Sequence, residues 1–384
     1  MLVIEFVIVV FLVLYVVFVW RFTWGWIKTP VFQATNEHLL NISIVVVYRN
    51  EADKIKHLLH SLKNLQYPVS QFEIIFVDDH STDNTTALIS EFIVEHNMFS
   101  VQMLQLDSKS GKKYGIESAI EHAKYEFIVC TDADCMVPQG WLKEFVGYYQ
   151  QTHCRIISAP VALCSSETLL GNMQQMEFGT LIAIGAGAIA QRQPIMCNGA
   201  NLFFEKKTYF DVLSEMRKTY HLLSGDDIFL LQACKKYYGA ESIGFVKSSK
   251  SIVKTYPVET IQSFFSQRSR WGQKTKYYTD RFTQFIALCV AMVSLGIVAL
   301  LVLAACSTIQ WFVPLFVWGV KLVADFPIIV LWASFIKRKR MLIYYPITAM
   351  AYPFYIVFVI VQILFKTNEW KSRSIKNKNA TFVK

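Results

Sequence analysis

Apolar residues are unevenly distributed along this chain, with long apolar runs at both ends and shorter periodic patterns between them. Residues 2–20 are apolar except for Glu5, and a run of this length can span a bilayer as a helix. Near the other end, residues 284–306, 310–336 and 341–365 form three more such runs. The pattern therefore predicts a soluble middle region between membrane segments.

Basic residues predict the orientation of these segments. Arg21 and Lys28 directly follow the first apolar run, and the positive-inside tendency then places the next domain in the cytoplasm, on the inner (cytoplasmic) membrane of the cell. A cleaved signal peptide is disfavoured, because no basic residues precede the run and no small-residue cleavage site follows it. Three C-terminal crossings would put the basic tail, residues 367–384, outside. Two crossings plus a re-entrant or interfacial segment around Pro353 would return it inside, and the sequence leaves both arrangements open.

One polar pair interrupts the second C-terminal run. Lys321 and Asp325 are four residues apart, so they share one face of a helix. A pair of opposite charges inside a predicted span is expected to neutralise itself.

The middle region alternates strand and helix patterns. β-branched and apolar runs at residues 41–47, 72–77, 101–106 and from Phe127 predict buried strands, and segments with helical spacing of apolar residues separate them. This alternation is typical of βαβ units with a mostly parallel sheet. Because right-handed crossovers bring the strand-end loops to one edge, polar residues after these strands should share one crevice.

The region beyond Pro138 has a different pattern. Residues 155–163 predict a single strand, and residues 169–190 predict a long helix that is buried or interfacial. Asn198-Gly199-Ala200-Asn201 predicts a turn that enters another strand. Ser224-Gly225-Asp226-Asp227 predicts the start of a further helix.

Carboxylates and lysines follow the predicted strands. Asp132 and Asp134 stand one residue apart where the fourth strand should end, Asp78 and Asp79 follow the second strand, and Lys112 lies in a basic turn after the third. Paired carboxylates at such an edge suit Mg²⁺ or Mn²⁺, which are often held by one or two carboxylates and substrate phosphates. Taken alone, the Asp132–Asp134 pair fits a metal site and a solvated loop equally well.

Charge and motif content exclude several functional classes. The net charge is +9, but Lys and Arg cluster beside apolar runs, as at residues 337–340, which favours an anionic membrane surface over nucleic acid. The eight cysteines lack zinc-site spacing. The first strand is followed by neither a Gly-X-Gly-X-X-Gly nor a Walker pattern, which disfavours dinucleotide oxidoreductases and P-loop enzymes.

These motifs in this order resemble the family 2 glycosyltransferases, the membrane-embedded inverting group that includes cellulose, hyaluronan and poly-N-acetylglucosamine synthases. The resemblance extends from about Ile42 to Trp271. It implies an α/β GT-A domain with a mostly parallel sheet, flanked by one N-terminal and two to three C-terminal transmembrane helices. The implied divisions are an N-terminal span at 1–28, the GT-A domain at 40–280, C-terminal spans at 284–366 and a basic tail at 367–384.

The same resemblance implies roles for individual residues. Asp227 would be the catalytic base, although Asp226 stands where the family has Glu. Arg270 would assist catalysis beside the diphosphate. The remaining implied residues are the nucleotide-sugar ligands Glu51, Asp79, Lys112 and Asp132; the metal ligands Asp134 and Asp132; and the acceptor or gating residues Asn201, Asp226, Gln267 and Trp271.

The implied activity is sugar transfer from a nucleotide sugar, expected to be a UDP-sugar, with Mg²⁺ or Mn²⁺ as cofactor. The expected partners are the donor, a lipid-linked or glycan acceptor, the bilayer, and export or assembly proteins, with no nucleic acid. Single-sugar or short-chain transfer is favoured, because few spans follow the catalytic region. A processive polysaccharide synthase and a non-catalytic membrane scaffold or transporter subunit are the alternatives.

Overall fold

The computed structural model describes residues 2–35, 38–98, 100–222, 224–365, 369–370 and 373–374. Most of the predicted basic tail, residues 367–384, therefore lies outside the described residues. The helices are α1 (Leu2–Lys28), α2 (Ile55–Lys63), α3 (Thr85–Glu95), α4 (Lys112–His122), α5 (Trp141–Thr152), α6 (Leu169–Ala190), α7 (Lys206–Arg217), α8 (Asp226–Tyr238), α9 (Ile261–Gln273), α10 (Arg281–Ala305), α11 (Phe312–Phe335) and α12 (Tyr345–Phe365). The strands are β1 (Ile42–Tyr48), β2 (Phe72–Asp78), β3 (Val101–Gln105), β4 (Phe127–Asp132), β5 (Cys135–Met136), β6 (Ile156–Ser158), β7 (Val161–Leu163), β8 (Leu202–Glu205), β9 (Ile243–Phe245), β10 (Val253–Thr255), β11 (Glu369–Trp370) and β12 (Arg373–Ser374).

A seven-stranded sheet with the order β3-β2-β1-β4-β8-β6-β9 forms the centre of the fold. The strands β3, β2, β1 and β4 are parallel, whereas β8 is antiparallel to both of its neighbours. All residues of β1 and β2 are buried, as expected for strands covered on both faces. The predicted α/β class and mostly parallel sheet are confirmed.

One predicted strand is two strands in the structure. Residues 155–163 were expected to be continuous, but the chain leaves the central sheet after Ser158, and Val161 begins a strand of a second, three-stranded sheet ordered β5-β10-β7. Pro160 lies at the break, where its missing N–H cannot join a ladder. Helix α7 and strands β9 and β10 were not predicted. The two strands have only three residues each, too few to show a period.

Helix α6 has the predicted bounds and lies along α1. The two helices meet backbone to backbone at Gly25 and Gly187. A Cβ added at Gly25 would overlap the Gly187 carbonyl, and one added at Gly187 would overlap the carbonyl of Phe22. Small residues allow such close approach of helices. The contact fixes the apolar helix α1 against α6.

Within the described part of the chain, four helices are long and apolar enough to cross a membrane, one N-terminal and three C-terminal. Inside α11, the Lys321 Nζ atom lies 2.5 Å from Asp325 Oδ2, which confirms the predicted pair. Tyr15 of α1 also donates to Asp325 Oδ1 at 2.7 Å. The charge pair therefore neutralises itself and links two of these helices.

Both ends of the last apolar segment, which contains α12, contact other parts of the protein. Before it, Arg338 donates to the Leu163 carbonyl at 2.8 Å. Near the end of α12, the carbonyl of Ile363 accepts from Lys276 Nζ at 3.3 Å, and the Ile363 side chain faces Gly272 of α9. Both ends of this segment thus contact elements that adjoin the sheet domain.

The glycine contact between α1 and α6 gives a testable prediction. Gly187→Ala should lower the free energy of unfolding by about 1–3 kcal/mol, since its Cβ would overlap a backbone carbonyl that cannot rotate away. Gly319→Ala is the matched control in α11, where an added Cβ meets no heavy atom of the described residues within 4 Å. That change should be neutral or slightly stabilising, because Ala has the higher helix propensity. Thermal unfolding in detergent measures both, and equal effects of the two variants would contradict the close contact.

Candidate active site

A cavity of about 640 Å³ opens at the carboxyl ends of β1 and β4, where open α/β sheets bind ligands. Its polar end is formed by the residues that follow these strands and by the first turns of α4 and α8. The predicted site residues that line it are Glu51, Lys112, Asp132, Asp134, Asp226, Asp227, Gln267, Arg270 and Trp271. Residues from five separate parts of the sequence are therefore brought together in one cleft.

Lys112 bridges two of the carboxylates. Its Nζ atom lies 2.6 Å from Asp132 Oδ1 and 2.9 Å from Asp226 Oδ2. Burial lowers the pKa of Lys112, but the two carboxylates outweigh burial and raise the pKa well above its usual value. The ammonium group therefore stays charged and joins the end of β4 to the start of α8.

Asp134 is the carboxylate best placed for a metal ion. The ligand atoms of Asp132, Asp134 and Cys135 lie within 4.8 Å of one another, and Lys54 Nζ stays 4.0 Å from Asp134. Cys135 is buried, and burial raises the pKa of its thiol well above the usual value, so it remains protonated. The two carboxylates offer hard oxygen ligands that suit Mg²⁺ or Mn²⁺.

The backbone and a second lysine hold Asp227. The amide of Gly199 donates to Asp227 Oδ2 at 3.2 Å, and Lys274 Nζ lies 3.5 Å from Asp227 Oδ1. A Cβ at Gly199 would lie 2.9 Å from an oxygen of Asp226, so any larger residue would require the Asp226 carboxylate to shift. This contact supplies a physical reason for the glycine in the 198–201 turn.

Gly225 directs the two carboxylates into the cleft. It adopts φ +94°, which is strained for any residue with a side chain, and α8 begins immediately after it. Asp226 and Asp227 are thereby the first two residues of the helix, where the unpaired backbone amides and the helix dipole favour negative charge.

Helix α9 contributes the opposite wall of the cleft. Burial lowers the pKa of Arg270, against the opposing effect of Asp226 and Asp132, yet an arginine remains cationic at neutral pH. The ring of Trp271 lies 6.0 Å from that of Phe178 on α6, and the guanidinium of Arg268 lies 4.4 Å from the Trp271 ring.

Two sets of residues in the cleft were not anticipated from the sequence. Residues 267–271 (Gln-Arg-Ser-Arg-Trp) form a Gln-X-X-Arg-Trp motif. Lys274, about one turn beyond it, pairs with Asp227. Arg268, inside that motif, forms a buried ion pair with Glu177 of α6, and Tyr355 of α12 donates to Glu177 at 2.8 Å. The signal for this cluster was Glu177 itself, a carboxylate within an otherwise apolar helical run.

Two predicted site residues lie behind the cleft wall. Asn201 is fully buried and accepts a hydrogen bond from Trp141 Nε1 at 2.7 Å. Its amide donates to the carbonyls of Pro160 and Ser251, so it supports the fold and does not face an acceptor. Asp79 is also fully buried and accepts from the Gly111 amide at 3.0 Å, beneath the loop that precedes Lys112.

The cavity continues from its acidic end into the membrane helices. We call this part the apolar limb; its lining residues are Ala287, Val290 and Ala291 of α10 and Tyr352, Tyr355, Ile356, Val359, Ile360 and Ile363 of α12. The cleft therefore joins a charged end, built on the sheet, to an apolar end, built on helices that are apolar enough to lie in a bilayer.

The sequence profile of the family described as Glycosyl transferase family 2 matches residues 43–211. The poly-beta-1,6-N-acetyl-D-glucosamine synthase of Staphylococcus epidermidis is 25% identical over 189 residues, which are 47% of this chain and 43% of that protein. The beta-monoglucosyldiacylglycerol synthase of Nostoc sp. is 27% identical over 135 residues, 35% of this chain and 29% of that protein. The chain thus matches less than half the length of these curated relatives.

A solved structure shares the fold over nearly the whole chain. The mannosyltransferase PcManGT from Pyrobaculum calidifontis, in complex with GDP-Man and Mn²⁺, superposes with a TM-score of 0.61 at 15% identity. The match covers 94% of this chain and 99% of that one. Together with the sequence profile, this likeness shows that the chain carries a family 2 glycosyltransferase domain of the GT-A fold, matched over residues 43–211.

Proposed function

We propose that this protein is a membrane-bound inverting glycosyltransferase of cell-envelope glycan synthesis. It would move a sugar from a nucleotide sugar to a hydroxyl of a lipid-linked or saccharide acceptor. The family resemblance alone favours a UDP-sugar, since Asp79, which stands where the family contacts uracil, is fully buried here. One observation carries the proposal: a single cavity joins the acidic edge of the sheet to a limb between membrane helices.

The residues of the cleft divide the chemistry between them. When bound by Asp134 and Asp132, a divalent cation would supply Lewis-acid stabilisation of the diphosphate. Lys112 and Arg270 are placed to offer further positive charge to phosphate oxygens. On the proposed path the acceptor oxygen bonds to the anomeric carbon while the bond to the diphosphate oxygen breaks, and the electron pair leaves with the nucleotide.

Asp227 is the better base of the adjacent pair. Asp226 is held 2.9 Å from the ammonium group of Lys112. Burial raises the pKa of Asp226, but Lys112 outweighs burial and lowers it, which weakens that carboxylate as a proton acceptor. We assign the acceptor proton to Asp227, which stands at the family's base position and lines the same cavity.

A processive polysaccharide synthase is the second candidate. The relatives named poly-beta-1,6-N-acetyl-D-glucosamine synthase and the Gln267–Trp271 motif favour it. The apolar limb and the relative named beta-monoglucosyldiacylglycerol synthase favour transfer to a lipid. Export or assembly proteins would be required chiefly by the processive enzyme.

Product length separates these two candidates. Membranes that contain the protein, supplied with labelled UDP-sugars, should yield an organic-soluble product that carries one or a few sugars. Chromatography and mass spectrometry of the extracted product measure its length. A long, water-soluble polymer as the main product would favour the processive synthase.

Asp227→Asn should reduce sugar transfer by about 10²–10⁴-fold, because it removes the general base, while nucleotide binding is retained. Asp211→Asn is the matched control, since Asp211 lies on α7 and pairs with Lys207 at the surface. Initial transfer rates and nucleotide affinity are measured on purified protein. Near-full activity of Asp227→Asn would disprove the assignment of the base.

Metal dependence tests Asp134. Nucleotide affinity should be higher with Mg²⁺ or Mn²⁺ than with a chelator, and Asp134→Ala should abolish this difference because the main oxygen ligand is lost. The control variant Asp211→Ala should retain the difference in nucleotide affinity between metal and chelator. An affinity that is equal with and without the metal in the unmodified protein would refute the metal site.

We further propose that the sheet domain faces the cytoplasm and that the segment from Arg338 to Ile363 is re-entrant. Its two ends contact Leu163 and Lys276, which adjoin the same domain. A re-entrant segment would return the basic tail to the domain side, in accord with the positive-inside tendency.

Cysteine labelling in intact cells tests this topology. A membrane-impermeant maleimide should label Cys306, which is exposed at the far end of α10. In a Cys306→Ser background, which removes that signal, Glu95→Cys, at a position 74% exposed on the sheet domain, should label only after the cells are opened. Thr381→Cys in the tail should behave like Glu95→Cys. Labelling of Thr381→Cys in intact cells would show a full third C-terminal crossing.

A further inference from the structure

We propose that the apolar limb holds the acyl chains of a glycerolipid acceptor with a neutral, hydroxyl-bearing headgroup of the diacylglycerol type. The inference rests on the proposed function and narrows its acceptor to one chemical class. It is carried by the lining of the limb, by its depth along α10, and by the charge balance where the limb meets the catalytic end.

The limb lies at the depth of one leaflet. Ala287 and Ala291 are about 9 and 15 Å along α10 from its first residue, at 1.5 Å per residue. The hydrocarbon core of a bilayer is about 30 Å thick, so with the first residue of α10 at its edge these positions lie between that edge and the midplane, on the side of the sheet domain. A lipid from that leaflet would reach the cleft without crossing the membrane.

Small side chains keep the limb open on one wall. Ala287 and Ala291 are four residues apart and share a face of α10, and they line the cavity together with Ile356 and Ile360 of α12. The end of α12 is held in place by the close contact of Ile363 with Gly272. The result is a groove between two apolar helices that opens directly into the reaction cleft, and hydrocarbon chains match such a lining.

The charges at the junction favour a neutral headgroup. Two cations of this part of the cleft pair with carboxylates, Arg268 with Glu177 and Lys274 with Asp227, and on the proposed function Arg270 and Lys112 serve the donor diphosphate. With the donor bound, a phosphate-bearing acceptor would place further negative charge beside Glu177, Asp227 and that diphosphate. A headgroup with hydroxyls alone avoids this repulsion.

The transfer step balances with such an acceptor. The headgroup O–H proton passes to the carboxylate of Asp227, and the oxygen forms a bond with the anomeric carbon. The bond from that carbon to the diphosphate oxygen breaks, and its electron pair leaves with the nucleoside diphosphate. The product is a glycosylated glycerolipid whose chains remain in the limb.

Photolabelling of the full chain tests the occupant. The protein in phosphatidylcholine nanodiscs is mixed with a diacylglycerol that carries a diazirine in one acyl chain, irradiated, digested and sequenced by mass spectrometry. Labels should fall on the residues of α10 and α12 that line the limb. Ala291→Trp should reduce this labelling by about tenfold, because the indole would fill the groove.

Ala299→Trp is the matched control, since Ala299 is exposed on the same helix. In the Ala299→Trp variant, the limb residues should be photolabelled to the same extent as in the unmodified protein. Ala291→Leu provides a second, smaller filling in case the tryptophan variant does not fold, and it should reduce labelling in the same direction.

The outcomes separate this inference from the proposed function. Labels confined to the outer faces of the helices, or labelling of the limb that Ala291→Trp and Ala291→Leu leave unchanged, would overturn the inference. A diazirine-bearing polyprenyl phosphate that labels the limb and displaces the diacylglycerol would overturn it too. Nucleotide binding and hydrolysis of UDP-sugars are measured in parallel: their absence in the unmodified protein would contradict the proposed function, whereas label position depends on the limb alone.

Discussion

The repulsion among four carboxylates is the constraint on which this site depends. Asp132, Asp134, Asp226 and Asp227 converge on one cleft. Lys112 binds two of them directly, and Lys274 approaches a third. Because the cations come from different elements, neutralisation of the carboxylates also fixes the relative positions of β4, α4 and α8. The charge that would serve catalysis is thus the same charge that orders the cleft.

The geometry of the cleft also depends on the attachment of α9 to α6 and α12. The Gln-X-X-Arg-Trp helix is tied to α6 by the buried pair of Arg268 with Glu177 and to α12 through Tyr355. Breaking one partner of such a pair leaves an uncompensated buried charge, which costs about 3–5 kcal/mol. The position of Arg270 and Trp271 therefore depends on helices outside the sheet domain. This dependence gives a physical reason why one cavity extends from the acidic edge of the sheet to the apolar helices.

Glycines allow the close approaches that this arrangement requires. Gly199 brings a turn against the Asp226 carboxylate, Gly272 brings α9 against α12, and Gly187 brings α6 against α1. Gly187 meets a backbone carbonyl, Gly199 a carboxylate and Gly272 the side chain of Ile363, and a Cβ at each position would be too close to that neighbour. Their positions could be read from the sequence, but the reason for each is visible only from its partner across the fold.

The sequence by itself determined the local elements and the motif residues. Apolar periodicity predicted the βαβ half, helix α6 and the membrane segments, since each depends on neighbours along the chain. The strands at residues 243–245 and 253–255 and the break at Pro160 could not be predicted, because such short pieces are stabilised by sheet partners distant in sequence. Tertiary structure alone decided which motif residues face the cleft: Asn201 is enclosed by Trp141, Pro160 and Ser251, while Lys274 and Glu177 reach the site. Whether a polar side chain faces a cavity or the core depends on the elements packed around it, and a motif does not encode those elements.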